Sequence, residues 1–187
     1  TAAAMLDKVT HMMASANDEV SRVEAFKYLE PRAQSGGPND LYWLGQWYAA
    51  SGKSEDQRNA EKWLSKALAQ DADGAVRNLS FSSLAKLKDV GPAATKVLDE
   101  QAPKFAKGKD EGMKKVAYAY LEQRANAGDP GAMLWMGFRF AEGDGTAKDE
   151  KQAHDWFLKA ALQDKSVAVK NKAFEALGER NHPPIRG

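Results

Sequence analysis

Residues 28–45 read YLEPRAQSGGPNDLYWLG, and 92 positions later residues 120–137 read YLEQRANAGDPGAMLWMG, with nine of the eighteen positions identical. The match runs on at the same offset. Leu6-Asp7 aligns with Leu98-Asp99, and Asp18-Glu19 with Asp110-Glu111. After Gly143-Asp144-Gly145 the offset becomes 93. Ala60 then aligns with Ala153, Trp63 with Trp156, Lys66-Ala67 with Lys159-Ala160, Asn78 with Asn171, Phe81 with Phe174 and Leu84 with Leu177. A colinear match with a single one-residue slip, placed in a loop, describes an internal duplication. Such a unit cannot bury its apolar face alone and stacks against neighbours.

Each copy is helical. Ala, Leu, Lys, Glu and Gln abound, runs of β-branched residues are missing, and Ile185 is the only isoleucine. Turn signals divide the chain into about ten stretches: 2–14, 18–34, 39–51, 55–70, 74–88, 92–106, 111–127, 131–142, 149–163 and 166–179. Gly36-Gly37-Pro38 and Gly128-Asp129-Pro130-Gly131 separate helices, with Pro suited to a first turn. Ser54 and Asp149 are expected to cap the helices that follow them. Pro31 and Pro103 fall inside two stretches, and each is expected to kink or shorten its helix. The expected fold is all-α: stacked antiparallel helical hairpins, as two tandem copies of a five-helix unit, about 1–91 and 92–187.

The segment from Asp129 to Ala168 resembles a Sel1-like repeat, a relative of the tetratricopeptide repeat. The resemblance rests on Ala132, Met136-Gly137, Phe140, Gly143-Asp144-Gly145, Asp149, Ala153, Trp156 and Lys159-Ala160-Ala161. The first copy has Leu44-Gly45, Tyr48, Gly52, Ala60, Trp63 and Lys66-Ala67, but Asp40 where Ala belongs and one Gly in place of Gly-x-Gly. A third, degraded start follows at Ala75, Leu79 and Ser80. The resemblance implies an α-α superhelix of paired helices. Gly45 and Gly137 stand where two helices cross closely, opposite Ala67 and Ala160. Tyr48, Phe140, Trp63 and Trp156 are expected between hairpins, each buried aromatic contributing roughly 2–3 kcal/mol. Strict alternation of paired helices cannot pass through a five-helix unit, so an unpaired or reoriented helix is expected around 92–112. Two lobes and a single solenoid with a defect both satisfy that requirement.

Chemistry has few candidates. The histidines are His11, His154 and His182, and none has a metal-ligand spacing. His154 is expected to be solvated, because Ala153, Trp156 and Phe157 take the packing face of its helix. The Gly143–Gly145 stretch lacks the alternating ligands of a calcium loop and is read as a turn. Asp18-Glu19, Asp99-Glu100 and Asp149-Glu150 are expected near helix ends, where acids suit a helix start. Five lysines between Lys104 and Lys115 are interrupted by acids and are read as a solvated face. No nucleotide, dinucleotide or hydrolase motif occurs, so no cofactor, metal or catalytic residue is implied. A formal net charge of +1 argues against a dedicated nucleic-acid binder. No cysteine is present, and no apolar run reaches the length of a membrane span. The chain begins at Thr1 and is expected to be a trimmed, processed or partial form.

The resemblance implies protein–protein recognition. Leu41, Leu44, Gly45 and Tyr48 take one helix stripe, leaving Trp43 and Trp47 on an adjoining face that carries Trp135 and Arg139 in the second copy. In related arrays this face is concave. The expected binding surface comprises Trp43, Trp47, Asn78, Trp135 and Arg139, residue types that carry much interface energy. Bacterial relatives suggest an exported or periplasmic protein that inhibits a toxin or effector. An envelope adaptor is the alternative, and a glycan-cleaving enzyme on an α-superhelix would need a buried carboxylate in a cleft.

Overall fold

The computed structural model describes residues 12, 18–70, 74–88, 90–163 and 165–181. The expected helix 2–14 lies outside them except for Met12, as do His11 and His182. Among the described residues the chain is all-α. The helices are α1 (Glu19–Gln34), α2 (Pro38–Ala50), α3 (Ser54–Ala69), α4 (Gly74–Leu84), α5 (Pro92–Ala106), α6 (Glu111–Asn126), α7 (Pro130–Glu142), α8 (Glu150–Ala161) and α9 (Val167–Asn181).

Local chemistry sets most boundaries. Asp18, Asp110, Asp129 and Asp149 each accept a hydrogen bond from the backbone N–H three residues on, at 2.7–3.0 Å. These bonds satisfy donors that a helix start leaves orphaned. Ser54 does not cap α3. The helix begins at Ser54 itself, with Lys53 at the cap and no side-chain bond there. Helix α4 stops at Leu84, four residues short of expectation. Lys86 and Leu87 donate to carbonyls only three residues back, which tightens the chain into a turn. Neither Pro31 nor Pro103 ends its helix; each stands in the last turn with three helical residues beyond it. There the lost bond affects only a helix end. Asp99-Glu100 lies mid-helix rather than at an end.

The chain divides into two compact units, 1–101 and 102–187, and α5 runs across the division. In the first unit α1, α2, α3 and α4 pack consecutively, with α2 also touching α4. In the second, α6, α7, α8 and α9 do the same, with α7 also touching α9. Among the described residues α5 belongs to neither series of close pairings.

Each unit is built around one close crossing. A Cβ on Gly45 would lie 2.7 Å from Leu64 Cγ and 3.1 Å from the Leu64 backbone nitrogen. One on Gly137 would overlap the Phe157 ring. Leu64 and Phe157 occupy the same place in the two copies, and both are fully buried. So are Ala67 and Ala160. The aromatics expected between hairpins are less uniform. Trp63 is buried, but Tyr48, Phe140 and Trp156 are only half-buried. Lysines lie over both tryptophans, Lys62 and Lys66 against Trp63 and Lys159 against Trp156. Long lysine stems can cover apolar surface while the ammonium stays in water.

Gly45→Ala and Gly137→Ala are each expected to lower unfolding free energy by roughly 1–3 kcal/mol through overpacking. Gly178→Ala, where the new Cβ meets open space within α9, is expected to raise it by roughly 0.5–1 kcal/mol. Urea unfolding followed by circular dichroism separates the two signs. A Gly137→Ala protein as stable as the wild type would mean that Phe157 moves aside at no cost.

Candidate functional site

Trp43, Trp47 and Asn78 belong to the first unit, and Trp135 and Arg139 to the second. All five are half-buried. Their surroundings differ.

Trp47 is committed to the α1–α2 contact. Its Nε1 donates to the Arg22 carbonyl at 2.6 Å, and Arg22 Nη2 donates to the Trp47 carbonyl at 3.0 Å. The Arg22 guanidinium lies over the indole at 5.2 Å, and Phe26 packs against it at 4.6 Å between ring centres. At offset 92 the corresponding residues are Lys114, Tyr118 and Arg139. Here the polarity is exchanged. Arg139 on α7 lies 4.5 Å over the ring of Tyr118 on α6. The cation thus comes from the first helix in one copy and from the second helix in the other, with an aromatic ring facing it in both.

The second clasp extends into the α7–α8 turn. Tyr118 Oη donates to Asp144 Oδ2 at 2.6 Å, and Lys114 Nζ reaches Asp144 Oδ1 at 3.2 Å. Arg139 Nη2 donates weakly to the Gly145 carbonyl at 3.4 Å. Gly143 and Gly145 hold φ of 72° and 66°, a left-handed geometry that favours glycine. The Gly-Asp-Gly stretch is therefore a hairpin turn, with its Asp tied to α6. The Tyr118 hydroxyl, with Lys114 and Arg139 nearby, holds the Asp144 carboxyl below the ordinary Asp value of 3.8. Burial, followed by the bond to Asp144, pushes the Tyr118 hydroxyl well above the usual tyrosine range.

Trp43 and Trp135 stand in other surroundings. Trp43 packs edge-on against Tyr42 at 5.1 Å. Trp135 lines an open recess of about 280 Å³ together with Leu134, Phe138, Glu142, Lys107 and Lys172. Lys107 Nζ stands 5.0 Å from the Trp135 ring centre. Lys107 is thus one of the five clustered lysines that does more than face solvent, and Lys114 is another. Of the recess residues, only Trp135 was expected at a binding surface. Phe138, Lys107 and Lys172 were not; comparing Gln46 with Phe138 and Leu79 with Lys172 shows two of these as positions where the copies differ.

His154 is exposed, beside Asp155 at 3.9 Å. Among the described residues no three His, Asp or Glu side chains are grouped so as to hold a metal ion, and no helix is long and apolar enough to cross a membrane. Asp40, the departure from Ala132, is buried and accepts from Arg32 Nε at 3.0 Å. In the second copy the matching Arg124 pairs instead with the cap residue Asp129, at 3.3 Å.

Asp144 gives the second clasp a defined pH dependence. Its folded pKa is depressed, so it contributes stability above the ordinary value of 3.8 that is lost as pH falls through the lower folded value. The stability difference between wild type and Asp144→Asn is therefore expected at pH 5–7 and to close toward pH 2. Urea titrations across that range check it, and a pH-independent gap would mean that charge on Asp144 contributes nothing.

Residues 38–71 and 130–165 match the family model of the Sel1 repeat. They cover the α2–α3 and α7–α8 hairpins, those with the glycine crossings. No curated protein and no solved structure matches the chain. Sel1 repeats indicate a protein–protein interaction module. One segment similar to the Sel1 repeat thus lies in each compact unit.

Proposed function

We propose that this protein works by binding a partner protein without transforming it, through the helix faces that carry Trp43 and Asn78 in the first unit and Trp135 in the second. Trp47 in the first unit and Arg139 in the second serve these faces as positioning residues, because each holds its helix against the one before. The observation that carries this reading is Trp135: a half-buried tryptophan lining an open recess, on the first helix of a Sel1 repeat. Tryptophan offers a large rigid contact area at low entropy cost and is enriched among residues that dominate binding energy.

Within this reading the protein acts as an inhibitor that occupies a toxin or effector, and the envelope adaptor is the alternative role. Capture from a host lysate on the immobilised chain, followed by mass spectrometry, identifies the partner. Trp43→Ala and Trp135→Ala are each expected to weaken the purified complex by about 30-fold or more, the equivalent of about 2 kcal/mol. Unchanged affinity in both variants overturns the surface. The captured protein's own activity, measured with and without this chain, separates inhibitor from adaptor.

A further inference from the structure

The two units differ in what lies between the first helix of the Sel1 hairpin and the helix that follows the hairpin. In the first, Gln46 Nε2 on α2 donates to Tyr42 Oη at 2.7 Å and to Ser83 Oγ on α4 at 2.5 Å. This polar bridge spans the gap between the two helices. At the matching offsets the second unit has Leu134, Phe138 and Ala176. None of these side chains can donate or accept a hydrogen bond, so the bridge cannot form. Phe138 turns instead onto the Phe157 ring, with centres 5.0 Å apart and planes at 72°. What remains is the recess beside Trp135.

Its size and rim restrict what it takes. About 280 Å³ lies just below the roughly 300–1,000 Å³ of sites that enclose drug-sized ligands. That volume suits one aromatic side chain better than a nucleotide or cofactor. The wall of Leu134, Trp135 and Phe138 is apolar, and aromatic pairs gain from offset or edge-on contact. The rim carries two lysines and one glutamate, a local excess of one positive charge in a chain with 27 basic and 26 acidic residues. The copy-one counterparts of Lys107 and Lys172 are Ser15 and Leu79, so both cations are particular to the second copy. Both are exposed, and among the described residues neither is ion-paired.

We infer that this recess is a specificity pocket for an acidic–aromatic segment of a partner protein, seating one aromatic side chain against Trp135 and Phe138 while flanking carboxylates meet Lys107 and Lys172. The inference rests on the protein-binding reading above and adds the chemistry of the segment recognised. Exposed charge pairs are screened by salt, so selectivity for acidic flanks falls as ionic strength rises.

The test uses the full ¹⁵N-labelled chain and three capped pentapeptides: Gly-Asp-Phe-Asp-Gly, Gly-Lys-Phe-Lys-Gly and Gly-Asp-Ala-Asp-Gly. The first is expected to shift the Trp135 indole N–H saturably, at least about tenfold more tightly than either control in low salt, the factor of one good contact. Lys107→Glu combined with Lys172→Glu is expected to reverse the preference between the acidic and basic peptides. Leu134→Tyr, Phe138→Gln and Ala176→Ser together rebuild the bridge of the first unit and are expected to abolish the shift while the helical spectrum is retained. Equal binding of the acidic and basic peptides, shifts only elsewhere, or no saturation at millimolar peptide each overturns the inference. If the peptides fail while partner capture persists and depends on Trp43, the protein-binding reading stands and the recess inference falls. If the acidic peptide binds as expected and no protein is captured, the pocket chemistry stands and the wider reading falls.

Discussion

Gly45 against Leu64, and Gly137 against Phe157, bring the two helices of each Sel1 hairpin so close that a methyl group does not fit between them. The other features of each unit follow from that approach. The buried alanines at 67 and 160 lie on the partner helices, and α4 or α9 closes over a hairpin whose width the crossing sets. A close-packed interior tolerates change only where volume is conserved. The bulky partner has changed from Leu to Phe between copies, but the glycine has not. The larger ring brings its own neighbour, Phe138, where the first copy has Gln46.

Around this fixed crossing the copies have exchanged equivalent interactions. The cation–aromatic contact between the first two helices is kept, with Arg22 over Trp47 in one copy and Arg139 over Tyr118 in the other. The arginine before the hairpin is kept, while its carboxylate moves from Asp40, inside the next helix, to Asp129 at its cap. These exchanges account for sequence differences that suggest functional divergence when the copies are merely aligned. One difference is not compensated in this way. The Tyr42–Gln46–Ser83 bridge has no polar replacement, and the space it would span stays open beside Trp135.

Most of the helix plan was legible from Gly, Pro and Asp, because caps and breaks depend on residues within about four positions of each other. The glycine crossings were legible for a related reason: a duplicated sequence shows which small residues both copies require. Ser54 misled, since Lys53 in extended geometry starts α3 without a side-chain bond. The candidate surface was legible only in part. Trp135 lines an open recess, but the clasps of Trp47 and Arg139 depend on side chains from a helix about twenty residues upstream. Helical periodicity records which face a residue occupies, not which neighbour claims it.

The sequence by itself determined the helical class, the duplication, the two Sel1 hairpins and the glycine contacts that join them, because each follows from short-range periodicity or from identity between copies. Only the tertiary structure decided which aromatic residues close helix contacts and which line an open face. That choice depends on side chains meeting across distances such as the 37 residues between Gln46 and Ser83. Whether a polar bridge or a recess lies there is a property of three positions on two helices, and no single helix carries it.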